Sequence, residues 1–172
     1  MKNVQLVACQ IAHLEALARL AKATFREAFE AVNKPVHFEA YLQKAFSLPQ
    51  MEAELQHPSS LFFLAQLDGQ NVGYAKFNFG PAQTDIQDNQ SLEVERIYLL
   101  QSFQGQKIGQ LLMDKAIEIA QKNALQYIWL GVWEQNPGAI RFYQRQGFTI
   151  FDRHSFFMGD EEQFDWLMKL EV

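Results

Sequence analysis

The sequence predicts a single mixed α/β domain in which helices cover both faces of a central sheet. Segments with helical period alternate with segments of strand period along the 172 residues. Tyr127 to Trp133 is apolar on both faces, as expected of an interior strand covered from each side. The hydrophobic content of 48%, with 15 phenylalanines, supplies a core for a chain of this length. No linker, internal repeat or low-complexity segment divides it, so residues 1–172 read as one domain.

Val4 to Ala8 reads as a first strand. Ile11, Leu14, Leu17, Ala18, Ala21, Phe25 and Phe29 recur at helical spacing and place a helix over roughly Ile11 to Ala31. Asn33-Lys34-Pro35 ends it. Thr24, Phe25, Arg26 and Phe29 could line a cleft, but an aromatic stripe at this spacing usually packs a core. A second helical region carries Phe38, Tyr41, Leu42, Ala45 and Phe46, and Met51 to Leu55 reads as a further short helix beyond Pro49. Leu61 to Leu67 and Val72 to Phe79 are strands around the hairpin turn Asp68-Gly69-Gln70-Asn71. Gly80 to Gln90 is polar and reads as a surface loop.

Ser91 to Ala124 reads as a strand, a tight polar turn and a long amphipathic helix. Leu92 and Val94 alternate with Glu93 and Glu95, and the alternation then slips, because Arg96 is polar and Ile97 to Leu100 is apolar. A slip of one residue is what a β-bulge produces. Leu111, Leu112, Ala116, Ile119 and Ala120 mark one face of the helix that follows. Beyond Tyr127 to Trp133, Asn136-Pro137 is a helix start with asparagine as cap and proline at the first position, and Gly147 stops that helix near Arg145. Strands near Phe148 to Phe157 and Phe164 to Leu170 close the chain, joined by Gly159-Asp160-Glu161-Glu162. The expected order is β-α-α-β-β-β-α-β-α-β-β.

Gln104-Gly105-Gln106-Lys107-Ile108-Gly109 sits where the long helix begins. The first turn of a helix has unpaired N–H groups and a partial positive charge, so it can hold an anion such as a pyrophosphate. Gly105 and Gly109 allow close approach and Lys107 adds a cation. The stretch lacks the Gly-Lys-Ser/Thr ending of a phosphate loop and the G-x-G-x-x-G of a dinucleotide fingerprint. An ordinary strand–turn–helix crossover would look similar.

Glu-Arg-Ile-Tyr-Leu followed by Gln-Gly-Gln-Lys-Ile-Gly resembles motif A of the GNAT acetyltransferases, whose coenzyme A loop reads Gln/Arg-x-x-Gly-x-Gly/Ala. Gln104 and Gly109 fit, whereas Lys107 stands where the first glycine usually is. If that position needs φ > 0, the lysine is strained there. Asn136-Pro137-Gly138-Ala139-Ile140-Arg141-Phe142-Tyr143, then Gly147-Phe148, resembles motif B at the right separation. The element order is similar to the whole GNAT fold: one domain, a mixed and mostly antiparallel sheet, and two central strands that splay apart around pantetheine. By this resemblance the backbone of Ile97, Tyr98 and Leu99 pairs with pantetheine. Gln104, Gly105, Gln106, Lys107, Ile108, Gly109 and Gln110 wrap the pyrophosphate, Asn136 touches the coenzyme, and Tyr143 reaches the thioester sulfur.

The chemistry so implied is direct acetyl transfer from acetyl-CoA to an amine, with no metal. An alkyl ammonium has a pKa of about 10, so a base must take its proton. Glu95, beside the suspected bulge, is the candidate, with Glu93 second; the alternative for Glu95 is a partner for Arg96 or a solvated strand face. The leaving thiolate has a pKa of about 8.5, so a nearby acid eases its expulsion, and Tyr143 fits that role unless its hydroxyl is simply satisfied in a core. Amides near Leu99 could polarise the thioester carbonyl.

Other features bound the function. The net charge of −5 argues against nucleic acid and anionic membranes. Cys9, the single cysteine, excludes an intrachain disulfide and reads as a small buried residue. His13, His37, His57 and His154 lack metal-type spacing, and only His154 falls near the expected acceptor side. No apolar run reaches spanning length and no signal-peptide core precedes the domain, so the default compartment is the cytoplasm.

Asp85, Asp88, Asp160, Glu161, Glu162 and Asp165 could flank the acceptor or be solvated loop charges. Thr24 to Phe29, Gly80 to Thr84, Trp129 to Glu134 and His154 to Asp160 resemble bacterial spermidine/spermine N-acetyltransferases of the PaiA type. A polyamine would suit an acidic cleft. A protein acetyltransferase and a non-catalytic acetyl-CoA-binding module are the alternatives. The family's fold often dimerises through edge strands, so a homodimer is compatible with the reading.

Overall fold

A computed structural model describes residues 3–172. Seven strands form one sheet in the order β1-β2-β3-β4-β5-β7-β6. They are β1 (Val4–Ala8), β2 (Ser60–Leu67), β3 (Gln70–Phe79), β4 (Ser91–Leu99), β5 (Tyr127–Trp133), β6 (Thr149–Met158) and β7 (Glu161–Glu171). Only the β4–β5 pair is parallel. The helices are α1 (Leu14–Phe29), α2 (Pro35–Ala45), α3 (Leu48–Gln56), α4 (Ile108–Lys122) and α5 (Pro137–Arg145). Three helices therefore precede β2, one more than the expected order counts, because Ser47 caps a new helix by accepting from the Gln50 amide.

Two apolar cores lie on opposite faces of the sheet. Leu112, Met113 and Ala116 of α4 pack on Val72, Phe77, Leu92 and Leu130, with Ile140 and Tyr143 of α5 against the same core. Leu17, Phe25, Phe38, Leu42 and Met51 from α1 to α3 pack on Phe62, Leu64 and Tyr74. Leu111, expected on the buried face of α4, is exposed, and Met113 fills that face instead. The β2–β3 turn is tighter than expected. Asp68 and Gly69 both have positive φ, and Gln70 already belongs to β3.

The slip in β4 is a bulge. Lys76 pairs with Arg96 but Phe77 pairs with Val94, so Glu95 is the extra residue. The consequence is visible in the packing. Leu92 and Val94 face α4, and after the bulge Ile97 and Leu99 rejoin that side while Tyr98 and Leu100 face α1.

Gly80 to Gln90 is only partly a surface loop. Its Gln83 is buried, with Nε2 donating to the Ser91 carbonyl at 3.0 Å and Oε1 accepting from Trp129 Nε1 at 3.2 Å. The loop folds over the sheet, and Glu93, which alternation would leave half-exposed, is buried beneath it. It accepts from the Thr84 amide at 3.0 Å, the Thr84 hydroxyl and Asn78 Nδ2 at 2.9 Å.

Beneath the bulge is a nearly enclosed four-residue ionic cluster. Glu54 of α3 accepts from Lys76 at 3.0 Å and Arg96 at 2.8 Å, and Glu95 meets the same cations at 2.6 and 3.1 Å. Burial alone would raise the Glu54 carboxyl, but Arg96 and Lys76 bring it below its ordinary value. A depressed carboxylate stabilises the fold above its unfolded pKa, and that contribution is lost as pH falls through the folded value. Removing one member of a buried cluster strands the others. Glu54→Gln should therefore cost about 3–5 kcal/mol in urea unfolding at neutral pH, and the difference from the parent should shrink below about pH 4. A cost under about 1 kcal/mol would show that the cluster does not support the bulge.

Candidate active site

β4 and β5 are neighbours for only three rungs, Ser91 to Glu93 against Tyr127 to Trp129. Beyond them the strands part. β4 stays paired with β3 through Ile97, Tyr98 and Leu99, so its other edge carries backbone groups with no neighbouring strand. That edge borders a cavity of about 780 Å³.

The cavity continues to the start of α4. Lys107 is the N-cap residue there, with φ 64 and ψ 10, and its side chain makes no capping hydrogen bond. No acidic residue occupies the first turn. The amides of Ile108, Gly109 and Gln110 thus lack helical partners. Lys107 and the helix terminus make this end electropositive, and Arg145 of α5 lines the same cavity. Gly105, with φ 73, has open space around its missing Cβ. Gly73 is glycine for a different reason: a Cβ there would stand 2.2 Å from Leu99 Cδ2 and 2.7 Å from the Tyr98 carbonyl oxygen. It lets β3 close against the last rungs of β4.

Of the residues expected to bind the coenzyme, Ile97, Tyr98, Leu99, Gln104, Gly105, Lys107, Gly109, Gln110, Asn136 and Tyr143 line this one cavity. Gln106 and Ile108 do not. The Gln106 side chain donates to the Ser102 carbonyl at 3.3 Å, and Ile108 is buried in the core beneath α4. Asn136 caps α5 by accepting from the Ala139 amide at 3.2 Å. Phe25 and Phe29 do both things weighed for them, packing the α1 core and lining the cavity; Thr24, buried, lines it too, whereas Arg26 pairs with Glu30 and Glu39 outside it. Phe29 meets Tyr98 and Trp133 edge-on, which ties α1 to both splayed strands.

Tyr143 lines the cavity from α5, packed against Phe142 and Phe148. Burial pushes its phenol up to about 12. Glu95 also lines the cavity, but both its oxygens are engaged: Oε2 by Lys76 and by Asn78 Nδ2 at 2.6 Å, Oε1 by Arg96. Glu93 does not reach the cavity, and burial raises its carboxyl against the opposing hydrogen bonds from Thr84 and Asn78. His154 lies outside it, 3.1 Å from Asp85. Burial also pushes the Cys9 thiol up to about 12, which keeps it protonated and unreactive. Sequence reasoning missed Lys76 and Asn78 as the partners of Glu95. Both are polar residues at buried positions of an otherwise apolar strand, and that was the available signal.

A family model described as the acetyltransferase (GNAT) family matches residues 14–148. The chain belongs to that family. An uncharacterized N-acetyltransferase in the pepI 3′ region of Lactobacillus delbrueckii subsp. lactis is 34% identical over 169 residues, covering 98% of each chain. The spermine/spermidine N(1)-acetyltransferase of Bacillus subtilis (strain 168) is 28% identical over 100 residues, 58% of this chain and 63% of that one. Among solved structures, the PaiA N-acetyltransferase of Thermoplasma acidophilum in complex with coenzyme A superposes with a TM-score of 0.82 at 21% identity, covering 99% of each chain. The GNAT protein described here is an N-acetyltransferase whose co-substrate is acetyl-CoA. No helix among the described residues is long and apolar enough to cross a membrane.

A non-glycine residue held in the left-handed region stores about 1–3 kcal/mol. Lys107→Gly should therefore raise the unfolding free energy slightly and leave coenzyme A affinity equal or better, measured by calorimetric titration. A tenfold or greater loss of affinity would show instead that the Lys107 ammonium itself holds the anion.

Proposed function

We propose that this chain acetylates a primary amine by direct transfer from acetyl-CoA, and that the acceptor is a polyamine such as spermidine or spermine. The observation that carries the reading is the open edge of β4 meeting the uncapped start of α4 and the Tyr143 hydroxyl in one cavity. Pantetheine amides would pair with the backbone of Ile97 to Leu99, and the pyrophosphate would take the amides of Ile108 to Gln110 together with the Lys107 backbone amide. This leaves the thioester beside the open edge of β4, where the amide close to Leu99 would polarise its carbonyl.

The amine nitrogen attacks that carbonyl and the C–S bond breaks. The thiolate takes a proton from Tyr143, whose high pKa keeps the phenol protonated at neutral pH. A sulfur in the same apolar surroundings also gains proton affinity, which narrows the gap between the two groups. Glu95 is the proposed acceptor of the amine's proton. Because Lys76, Asn78 and Arg96 hold its oxygens, the proton would reach it through water that replaces one of these contacts.

The polyamine reading draws on the Bacillus subtilis relative, a spermine/spermidine acetyltransferase, and on charge around the acceptor side. A second cavity of about 350 Å³ shares Trp133 and Gln163 with the first and is bordered by Glu134, Glu161 and Glu162. Lys34 pairs with Glu161 and Arg153 with Glu134, so an elongated polycation crossing from one to the other would be drawn chiefly by Glu162.

Thiol release from acetyl-CoA should accelerate with spermidine or spermine and not with lysine-containing or N-terminal peptides; the opposite preference would replace the polyamine by a protein acceptor. Tyr143→Phe should lower turnover about 100-fold or more while the acetyl-CoA KM stays constant, and unchanged turnover would remove Tyr143 as the acid. Glu95→Gln should slow the reaction most at low pH, where the amine is most protonated. A pH profile parallel to the parent would exclude Glu95 as the base.

A further inference from the structure

Three carboxylates line the main cavity: Glu27, Glu95 and Asp165. Two are committed to the fold. Glu27 accepts from the Gln101 amide at 2.7 Å, and Glu95 is held by Lys76, Asn78 and Arg96. Asp165 accepts no hydrogen bond from any described residue through its side chain and forms no ion pair with one. Its cross-strand neighbour His154 is turned to Asp85 instead, at 3.1 Å. Of the six acidic residues that the sequence placed near the acceptor, Asp165 alone lines this cavity.

Its position is specific. Asp165 pairs with Trp133 at the end of β5, beyond the point where β5 leaves β4. A Cβ built on Gly131 would lie 3.4 Å from Asp165 Oδ2, so the carboxylate rests against the splayed stretch of β5 where no side chain intervenes. Tyr41 and Phe156, edge-on at 6.2 Å, line the same cavity from α2 and β6. Aromatic walls of this kind suit alkyl chains that carry ammonium groups.

We propose that Asp165 is the carboxylate that binds a positively charged nitrogen of the acceptor within the cavity. The inference rests on the reading of the acceptor as an amine. Burial raises the Asp165 carboxyl, His154 across the strand pair opposes this, and Glu134 adds to it; the Tyr41 phenol, on α2, senses the Asp165 charge in turn. At neutral pH the unpaired, half-buried carboxylate is therefore held less favourably than in water, and an ammonium in the cavity supplies the missing counter-charge. Asp165 would then set the preference for cationic acceptors, whereas Glu95 and Tyr143 serve the proton transfers. No covalent step passes through Asp165.

Spermidine binding to the coenzyme A complex is measured by calorimetry for the parent, Asp165→Asn and Asp165→Glu, together with acetylation kinetics and thermal unfolding. Spermidine affinity should fall about 10- to 100-fold in Asp165→Asn, with the acetyl-CoA KM unchanged, and Asp165→Glu should recover part of it. Asp165→Asn should unfold at or above the parent's temperature at neutral pH, because it removes a half-buried charge that the fold does not pair. Unchanged spermidine affinity, or a marked loss of thermal stability that Asp165→Glu restores, would overturn the assignment and make Asp165 structural. Amine turnover by the parent together with unaffected Asp165→Asn would defeat this inference alone. A parent protein that neither binds nor acetylates any amine would overturn the polyamine reading and this inference together.

Discussion

Inserting one residue into a strand reverses the facing of every side chain beyond it. In β4 that residue is Glu95, and the reversal is what gives the strand two different uses along its length. Before the bulge, β4 is an interior strand, with Leu92 and Val94 packed under α4 and Glu93 sealed by Thr84 and Asn78. After it, Ile97 and Leu99 take up the α4 face again, and Tyr98 joins the aromatic wall of α1. A bulged strand bends, and the parallel contact with β5 ends at Glu93, two residues before the insertion. The cavity follows from that separation.

Holding the bulge requires its charges to be balanced away from water. The Glu54–Lys76–Arg96–Glu95 cluster does this with two acids and two bases, and Arg96 also lies 5.2 Å from the centre of the Phe46 ring. Buried ion pairs of this kind rarely add net stability over apolar side chains of the same volume. Their value here is geometric, since they settle which residue of β4 is extra and so where its open edge begins. The same commitment of Glu95 to Lys76 and Arg96 separates it from Asp165. One carboxylate holds the frame, and the other faces the cavity without a partner of its own.

Local backbone requirements were legible in the sequence. Asn136-Pro137 as a helix start, Gly147 as a stop, and the slip at Glu95 and Arg96 each depend on neighbouring residues alone, and each lies where it was expected. The left-handed conformation at Lys107 also agrees with the strain foreseen for a residue in a glycine's place. Long-range burial of polar groups was not legible. Gln83 looks like an ordinary loop residue until Ser91 and Trp129 are brought to it, and Glu93 looks half-exposed until the loop covers it. The six acidic residues weighed for the acceptor side were indistinguishable by type and spacing. Only the fold sends Asp160 to His37, Glu161 to Lys34 and Asp85 to His154, and leaves Asp165 in the cavity.

Coenzyme binding as proposed would depend on two sets of backbone amides, those on the open edge of β4 and those in the first turn of α4. Amide hydrogen exchange with and without coenzyme A tests this most directly. Protection should rise at Ile97 to Leu99 and at Ile108 to Gln110, while the β4 amides from Ser91 to Glu93, already within the sheet, change little. Protection confined to other segments, or none at these two, would show that the coenzyme does not occupy the seam between β4 and β5 and would contradict the account.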